Sequence, residues 1–231
     1  MNSVEYFLRQ FERTFIDDQR YLLFLTGLRN TIIIALSAAI IGVIIGTGIA
    51  LIKLYHTQTG RFKILERLLA VYVSIIRGTP LAVQLLIFAY IIIQSSNYVF
   101  IACIAFGLNS GAYVSELIRA GISAIDKGQT EAGLSLGLPR LAIFKLLIFP
   151  QAIKNILPAL CNEFIMLFKE TSIVGLIAVV DLTRASDLVR SRTMDAYFPL
   201  ISIALIYFLI VSGLTLLSAG IEKRMARCDR S

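Results

Sequence analysis

Charge is scarce in this chain. Only 16% of its 231 residues are Asp, Glu, Lys or Arg, against roughly 25% in a soluble domain. That shortage excludes an ordinary water-soluble fold. With 57% hydrophobic residues and a mean hydropathy of +0.79, the chain belongs in a bilayer. Histidine occurs once, at His56, and gives no ligand set for a metal. The three cysteines, Cys103, Cys161 and Cys228, have neither metal nor redox spacing. Two of them lie in apolar stretches, where Cys acts as a small hydrophobe. No Gly-x4-Gly-Lys-Ser/Thr run occurs, which excludes ATP binding in that mode. The first 30 residues mix both signs of charge and lack a compact apolar core, so no cleavable signal peptide is expected. No Pro- or Ser-rich linker divides residues 1–231, and one domain is expected. The net charge of +7 would suit nucleic acid, but the basic residues lie in loops between apolar runs. Topology explains them there, and no nucleic-acid partner is expected.

What is present is a set of long apolar runs. Thr31 to Ile52 is uncharged and long enough to cross a hydrocarbon core of about 30 Å. Gly78 to Ser115 carries no charge either, but as one helix it would measure about 57 Å. The polar cluster Gln94-Ser95-Ser96-Asn97 is the natural turn within it. This divides the region into span two, about 68–93, and span three, about 98–119. Span four is expected at about 156–180 and span five at about 197–221. The fold class is therefore all-α and integral to the membrane, with about five transmembrane helices. Small residues at spacing four, Gly42 with Gly46 and Gly107 with Gly111, signal close helix packing in lipid.

Five spans put the termini on opposite sides. The segment from Lys53 to Arg67 carries a net +3, that from Glu116 to Lys154 +2, and the tail from Glu222 +2. The segment before Thr31 and the loop from Asp181 to Asp195 are each neutral. By the positive-inside rule the N-terminus is outside and the C-terminus cytoplasmic. In the outer segment, residues 1–29, Val4, Phe7, Leu8, Phe11 and Phe15 fall at helical spacing. They would lie on the lipid interface or pack against the other spans.

The segment 120–155 is long for a connection in so small a protein. Within it Gly128 to Leu138 can form a short helix with Ala132, Leu134, Leu136 and Leu138 as apolar anchors, limited by Pro139. Gly133 and Gly137 would leave one side bare for a partner to approach.

The residues of this segment resemble the signature of bacterial ABC importer permeases, Glu-Ala-Ala-x3-Gly-x9-Ile-x-Leu-Pro. Glu131, Ala132, Gly137 and Pro150 are in register. Gly133 stands for the second Ala, Leu147 for the Ile and Phe149 for the Leu. More of the chain is similar to the polar amino acid uptake permeases: Arg77-Gly78-Thr79-Pro80-Leu81, Gly111-Ala112-Tyr113-Val114-Ser115-Glu116-Leu117-Ile118-Arg119-Ala120-Gly121-Ile122, Pro150-Gln151-Ala152, Leu157-Pro158 and Lys169-Glu170-Thr171-Ser172. The resemblance covers about 22–223. It implies a type I importer permease whose coupling helix, Glu131 to Gly137, docks on an ATPase subunit. It implies two permease chains, identical or paralogous, two ATPase subunits holding ATP and Mg²⁺, and an extracytoplasmic solute-binding protein. No cofactor is expected in this chain.

Charges inside the spans point to a pathway independently of family. A charged side chain at the bilayer centre costs at least ~2.5–3.5 kcal/mol and normally faces a cavity or a partner. Glu163 lies in an otherwise apolar run, and Lys169 follows it by about 9 Å of rise and about 120° of rotation. Together they suit the ammonium and carboxylate of an amino acid, and the resemblance implies such contacts. Thr171 and Ser172 add hydroxyls for a ligand or for their own helix. The alternative is an internal ion pair of Glu163 with Lys169 or Arg77. Span two is broken at Arg77-Gly78-Thr79-Pro80, because Pro80 removes a donor and disfavours helix at Thr79. Broken backbone at membrane depth lines a cavity or is buried in protein. Thr79, and less directly Gln84, are thus pathway candidates. The alternative is a packing kink, with Arg77 bonding carbonyls. Two rivals to amino acid import remain open at this point. One is an ABC permease for another solute, such as an opine or sulfur compound. The other is a secondary transporter or passive scaffold, which has no need of an ATPase-docking helix.

Overall fold

The computed structural model describes residues 3–227. Cys228, Asp229 and Arg230, counted above, lie outside them. Among the described residues the regular structure is entirely helical.

Helix α1 (Ser3–Phe11) leads through two irregular turns into α2 (Tyr21–Thr59). The 39 residues of α2 would measure about 58 Å, so it contains the expected first span and overshoots it at both ends. It stops at Gly60, which adopts φ 69° and returns its N–H to the His56 carbonyl at 2.8 Å. His56 therefore lies in the last turn of the helix. Span two is a bent pair, α3 (Lys63–Gly78) and α4 (Leu81–Ile87), the latter extended by a π-helical turn to Ile92. The two halves meet at 110°. The cause is local: Thr79 is extended at φ −121°, ψ 146° ahead of Pro80, as the residue before a proline prefers. Helix α5 (Tyr98–Ser123) starts where expected, and Asn97 caps it by accepting from the Phe100 N–H at 3.1 Å.

The α2–α5 seam is the centre of the fold. Ile41 sits over Gly107 and Ile45 over Gly111. In return, Ser110 sits against Gly42 and Val114 against Gly46. A methyl group at Gly42 would lie 2.5 Å from the Ser110 hydroxyl, so the seam closes only with glycine there. Ile34, Leu85, Ile101, Phe106, Leu167 and Val174 form the main buried cluster beside it.

After α5 the chain forms α6 (Lys127–Ser135) and α7 (Arg140–Ile143), then α8 (Phe149–Glu170), α9 (Leu182–Thr193) and α10 (Tyr197–Arg227). Four helical stretches are long and apolar enough to cross a membrane, and the bent pair makes a fifth. Span four departs from expectation at its start: the apolar helical stretch runs Arg140–Ile177, beginning well before residue 156, with α8 ending at Glu170 and a 3-10 turn carrying the stretch on to Ile177. The Thr171 hydroxyl donates to the Phe168 carbonyl at 2.8 Å, and Ala178 takes a left-handed φ of 60°. The neutral loop after it is mostly helical, as α9. In the N-terminal segment Phe15 packs against Phe24 with ring centroids 5.0 Å apart and Phe7 meets Phe198 edge-on at 5.4 Å, the packing alternative, while Val4 and Leu8 stay exposed.

Candidate functional site: a polar path and a coupling loop

Helix α8 carries two distinct polar faces. Glu163 is half-buried and turned toward α5, where it accepts from the Ser110 hydroxyl at 3.3 Å. Ser110 lies twelve residues into α5, about 18 Å from its start, so Glu163 sits level with the middle of that apolar helix. Among the described residues no ion pair joins it to Lys169 or Arg77. Lys169 is exposed on another side of the helix. It is not alone there. Gln151, Asn155, Asn162 and Lys169 are all exposed and fall within about 40° of one another on a helical wheel, over about 27 Å of rise. Sequence reasoning missed Asn155 and Asn162. The signal was their spacing of seven from each other and from Lys169. Gln151 donates its amide nitrogen to the Leu147 carbonyl at 2.9 Å, and with Asn155 it lies at the coupling-segment end of the face. Deeper in the span, a bare amide such as that of Asn162 costs several kcal/mol in hydrocarbon, so Asn162 and Lys169 need water or a protein partner rather than lipid.

The break in span two is braced from inside. The Gln84 amide nitrogen donates to the carbonyls of Ile76 (2.7 Å) and Thr79 (3.0 Å), and lies 2.8 Å from the Thr79 hydroxyl. Its oxygen accepts from Asn109 on α5 at 3.0 Å. Both amides are buried. The freed carbonyls are thus held by Gln84 and not by Arg77, as the packing alternative had supposed. The Thr79 hydroxyl donates to Ile75 at 2.8 Å, and Thr79 itself is exposed. Arg77 instead lies 3.9 Å from Glu116 and 5.4 Å over the Tyr113 ring.

Thr171 is fully buried and bonded to its own helix, whereas Ser172 is half-exposed. Asp181, not singled out from sequence, caps α9 by accepting from the N–H groups of Thr183 and Arg184 at 3.0 and 2.9 Å. Burial pushes its carboxyl above the ordinary value of 3.8, and these donors partly offset the shift.

The coupling segment folds as α6, shorter than the expected 128–138. Its stop is Gly137 rather than Pro139. Gly137 adopts φ 75°, its N–H returns to Leu134, and the Leu138 N–H returns to Gly133, the paired bonds of a glycine C-cap. Asp126 opens the helix by accepting from Gly128 at 2.8 Å. Glu131 and Ala132 are exposed, and Leu136 is 80% exposed. Pro150 is exposed in the first turn of α8. Gly133 corrects expectation: it is buried, and a Cβ there would meet Ile143 at 2.7 Å. Its bare side receives the chain's own α7, not a partner.

Four apolar spanning helices, one broken span and a short capped helix carrying exposed leucines define a multi-pass membrane transport subunit. The family described as "Binding-protein-dependent transport system inner membrane component" matches residues 42–227, and the chain belongs to it. The putative glutamine transport system permease protein GlnP of Rickettsia felis is 40% identical over 89% of this chain and 94% of its own. The arginine transport system permease protein ArtQ of Bacillus subtilis is 40% identical over 89% and 93%. The crystal structure of an amino acid ABC transporter with histidines superposes with a TM-score of 0.82 at 42% identity, covering 88% of this chain and 94% of that one. An inward-facing MetNI methionine ABC transporter shares the fold at a TM-score of 0.74 and 17% identity, over 88% and 96%. The chain is therefore a permease subunit of an ABC importer and not an enzyme. It sits in the inner membrane, and its family works with ATPase and binding-protein partners.

Proposed function

We propose that this chain forms the translocation path of an ATP-driven importer for polar amino acids. The uncovered polar face of α8 carries the reading. A face of three amides and an ammonium running about 27 Å suits a water-filled path between two permease chains, identical or paralogous. Glu163, level with the middle of α5 beside Ser110, offers a carboxylate to a substrate ammonium. Lys169, Ser172 and the exposed Thr79 and Arg77 add donors at other depths, with Thr171 shaping the end of α8. The relatives named for glutamine and arginine transport support amino acids as the solute class.

Drive comes from outside the chain. Glu131 and Ala132 on α6, Gly137 just past its end, and Pro150 at the start of α8 dock on a separate ATPase. Gly133 keeps α6 close against α7. Two ATPase subunits hold ATP and Mg²⁺, and closing them moves the two coupling helices so that the cavity opens outward. A solute-binding protein then delivers the amino acid. In this reading the coupling loop and C-terminus are cytoplasmic and the N-terminus is outside, as the loop charges favour.

Uptake of radiolabelled glutamine, arginine and cystine into proteoliposomes, with partner ATPase and binding protein supplied, tests the reading. Wild type should accumulate at least one of them with ATP. Glu163→Ala should lose most uptake while still co-purifying with the ATPase. Normal uptake by that variant would remove Glu163 from the path.

A further inference from the structure

A second charged cluster lies away from Glu163. Between α3 and α5 the chain forms a cleft of ≈ 520 Å³ lined by Lys53, Ser74, Arg77, Tyr113 and Glu116, among others. Glu116 stands six residues beyond Ser110 on α5, hence about 9 Å nearer the coupling loop. Its two oxygens are already engaged. Lys53 reaches Oε1 at 3.2 Å and Arg119 reaches Oε2 at 2.8 Å. Arg77 is the cation left over. Its nearest approach to Glu116 is 3.9 Å, beyond hydrogen-bond range, and its side chain is 45% exposed. Among the described residues its guanidinium has no hydrogen-bond partner, yet it is oriented by the Tyr113 ring at 5.4 Å.

Lys53, Arg77 and Arg119 against Glu116 leave the cluster at net +2, which favours an incoming anion. A guanidinium presents a planar fork that matches a carboxylate bidentately. A carboxylate has about four lone-pair positions, so Glu116 retains capacity after Lys53 and Arg119. The cleft thus offers a guanidinium that pairs with Glu116 only at 3.9 Å and makes no hydrogen bond among the described residues, beside a carboxylate with lone pairs to spare. The ammonium and carboxylate of an α-amino acid are themselves adjacent and of opposite sign.

We propose that this cleft is an α-amino-acid head-group site on the coupling-loop side of Glu163. Arg77 receives the carboxylate and Glu116 the ammonium, so the solute pauses here before leaving the path. The inference rests on the amino acid reading above.

The test uses the complete transporter, permeases with ATPase subunits, in nanodiscs without the binding protein. Binding of radiolabelled L-glutamine or L-arginine is measured, whichever wild type takes. The matching decarboxylated amine, 4-aminobutanamide or agmatine, serves as competitor. Arg77→Gln should weaken the amino acid about tenfold or more, the scale of a lost charge-assisted hydrogen bond. It should leave the amine unchanged, and Arg77→Lys should recover part of the loss. Equal loss for amino acid and amine, or no loss for either, would overturn the site and leave a structural ion cluster. Should Arg77→Gln fail to assemble with the ATPase, Glu116→Gln decides. It should weaken the amino acid but not the deaminated acid, glutaramate or 5-guanidinopentanoate, and equal effects on both would again overturn the proposal. Wild type that binds no amino acid would sink the amino acid reading along with the site. Wild type that binds, with variants that do not discriminate, sinks the site alone.

Discussion

Single residues here settle where polar groups freed by irregular backbone find partners. Gln84 is the clearest case. One buried amide holds two carbonyls released by the Thr79-Pro80 break and is itself held by Asn109. Leaving such groups unpaired costs about 1–3 kcal/mol, so Gln84→Leu should destabilise the detergent-solubilised protein by at least that amount. Asn109→Leu should add little to it, because both substitutions remove members of one network. Thermal unfolding of the two single variants and the double variant checks this, and simple additivity would mean that the bracket is not a unit. Asp181 gives a pH-dependent case. Its folded pKa is raised, so the folded state holds that proton more tightly than the unfolded chain does. The stability this supplies is complete below the ordinary value of 3.8 and is lost as pH rises through the raised value. Asp181→Asn keeps a good cap without ionising. Its melting temperature should therefore gain on wild type as pH rises from about 4, and a gap independent of pH would refute the burial argument.

At the scale of elements, helix ends are fixed by features that differ in how plainly a sequence shows them. The turn at Gln94 to Asn97 and the break at Thr79-Pro80 were legible because proline and short polar side chains act on their immediate neighbours. The end of α8 was not, because apolar residues continue to Val180 while Thr171 and Ala178 turn the backbone. Coupling helix α6 was legible as a helix but not in its packing. Gly133 looked open, and only the fold brings Ile143 onto it. This contact also accounts for a departure from the family signature. Alanine at Gly133 would put its Cβ 2.7 Å from Ile143 Cγ1 and 2.9 Å from Cδ1. Gly133→Ala should therefore displace α6 from α7, a strain of about 1–3 kcal/mol for an overpacked contact, and weaken co-purification of the ATPase. Ile143→Val, which removes Cδ1, should restore part of the loss when combined with it. Co-purification yields for the pair and the double variant measure this, and a double variant no better than Gly133→Ala would show that Ile143 is not the obstacle.

For the whole molecule, the question is which uncovered surfaces meet lipid and which do not. Both α8 and α10 leave one face uncovered in the single chain. Composition separates them. The outer face of α10 presents Leu205, Phe208, Leu209, Leu216 and Leu217, which lipid solvates without cost. The outer face of α8 presents Gln151, Asn155, Asn162 and Lys169, and the last two lie where lipid does not solvate them. Periodicity alone located five spans but could not assign their faces, because Glu163 and Lys169 were read without the amides between and before them. Nor did sequence place Arg77 beside Glu116, 39 positions away, since that pairing exists only once α3 folds back along α5. The contrast between α8 and α10 can be tested in a variant lacking Cys103, Cys161 and Cys228, with single cysteines reintroduced. In the assembled transporter Asn155→Cys and Asn162→Cys should react with a membrane-impermeant thiol reagent supplied from the side to which the path is open. Phe208→Cys and Leu216→Cys should resist it, since thiol labelling needs the thiolate and water. Opening the path to the other side by trapping ATP on the ATPase should change the α8 rates and leave the α10 rates as they were. If Asn155→Cys and Asn162→Cys prove as inert as Phe208→Cys in both states, the polar face of α8 is sealed against protein, and the path must run elsewhere.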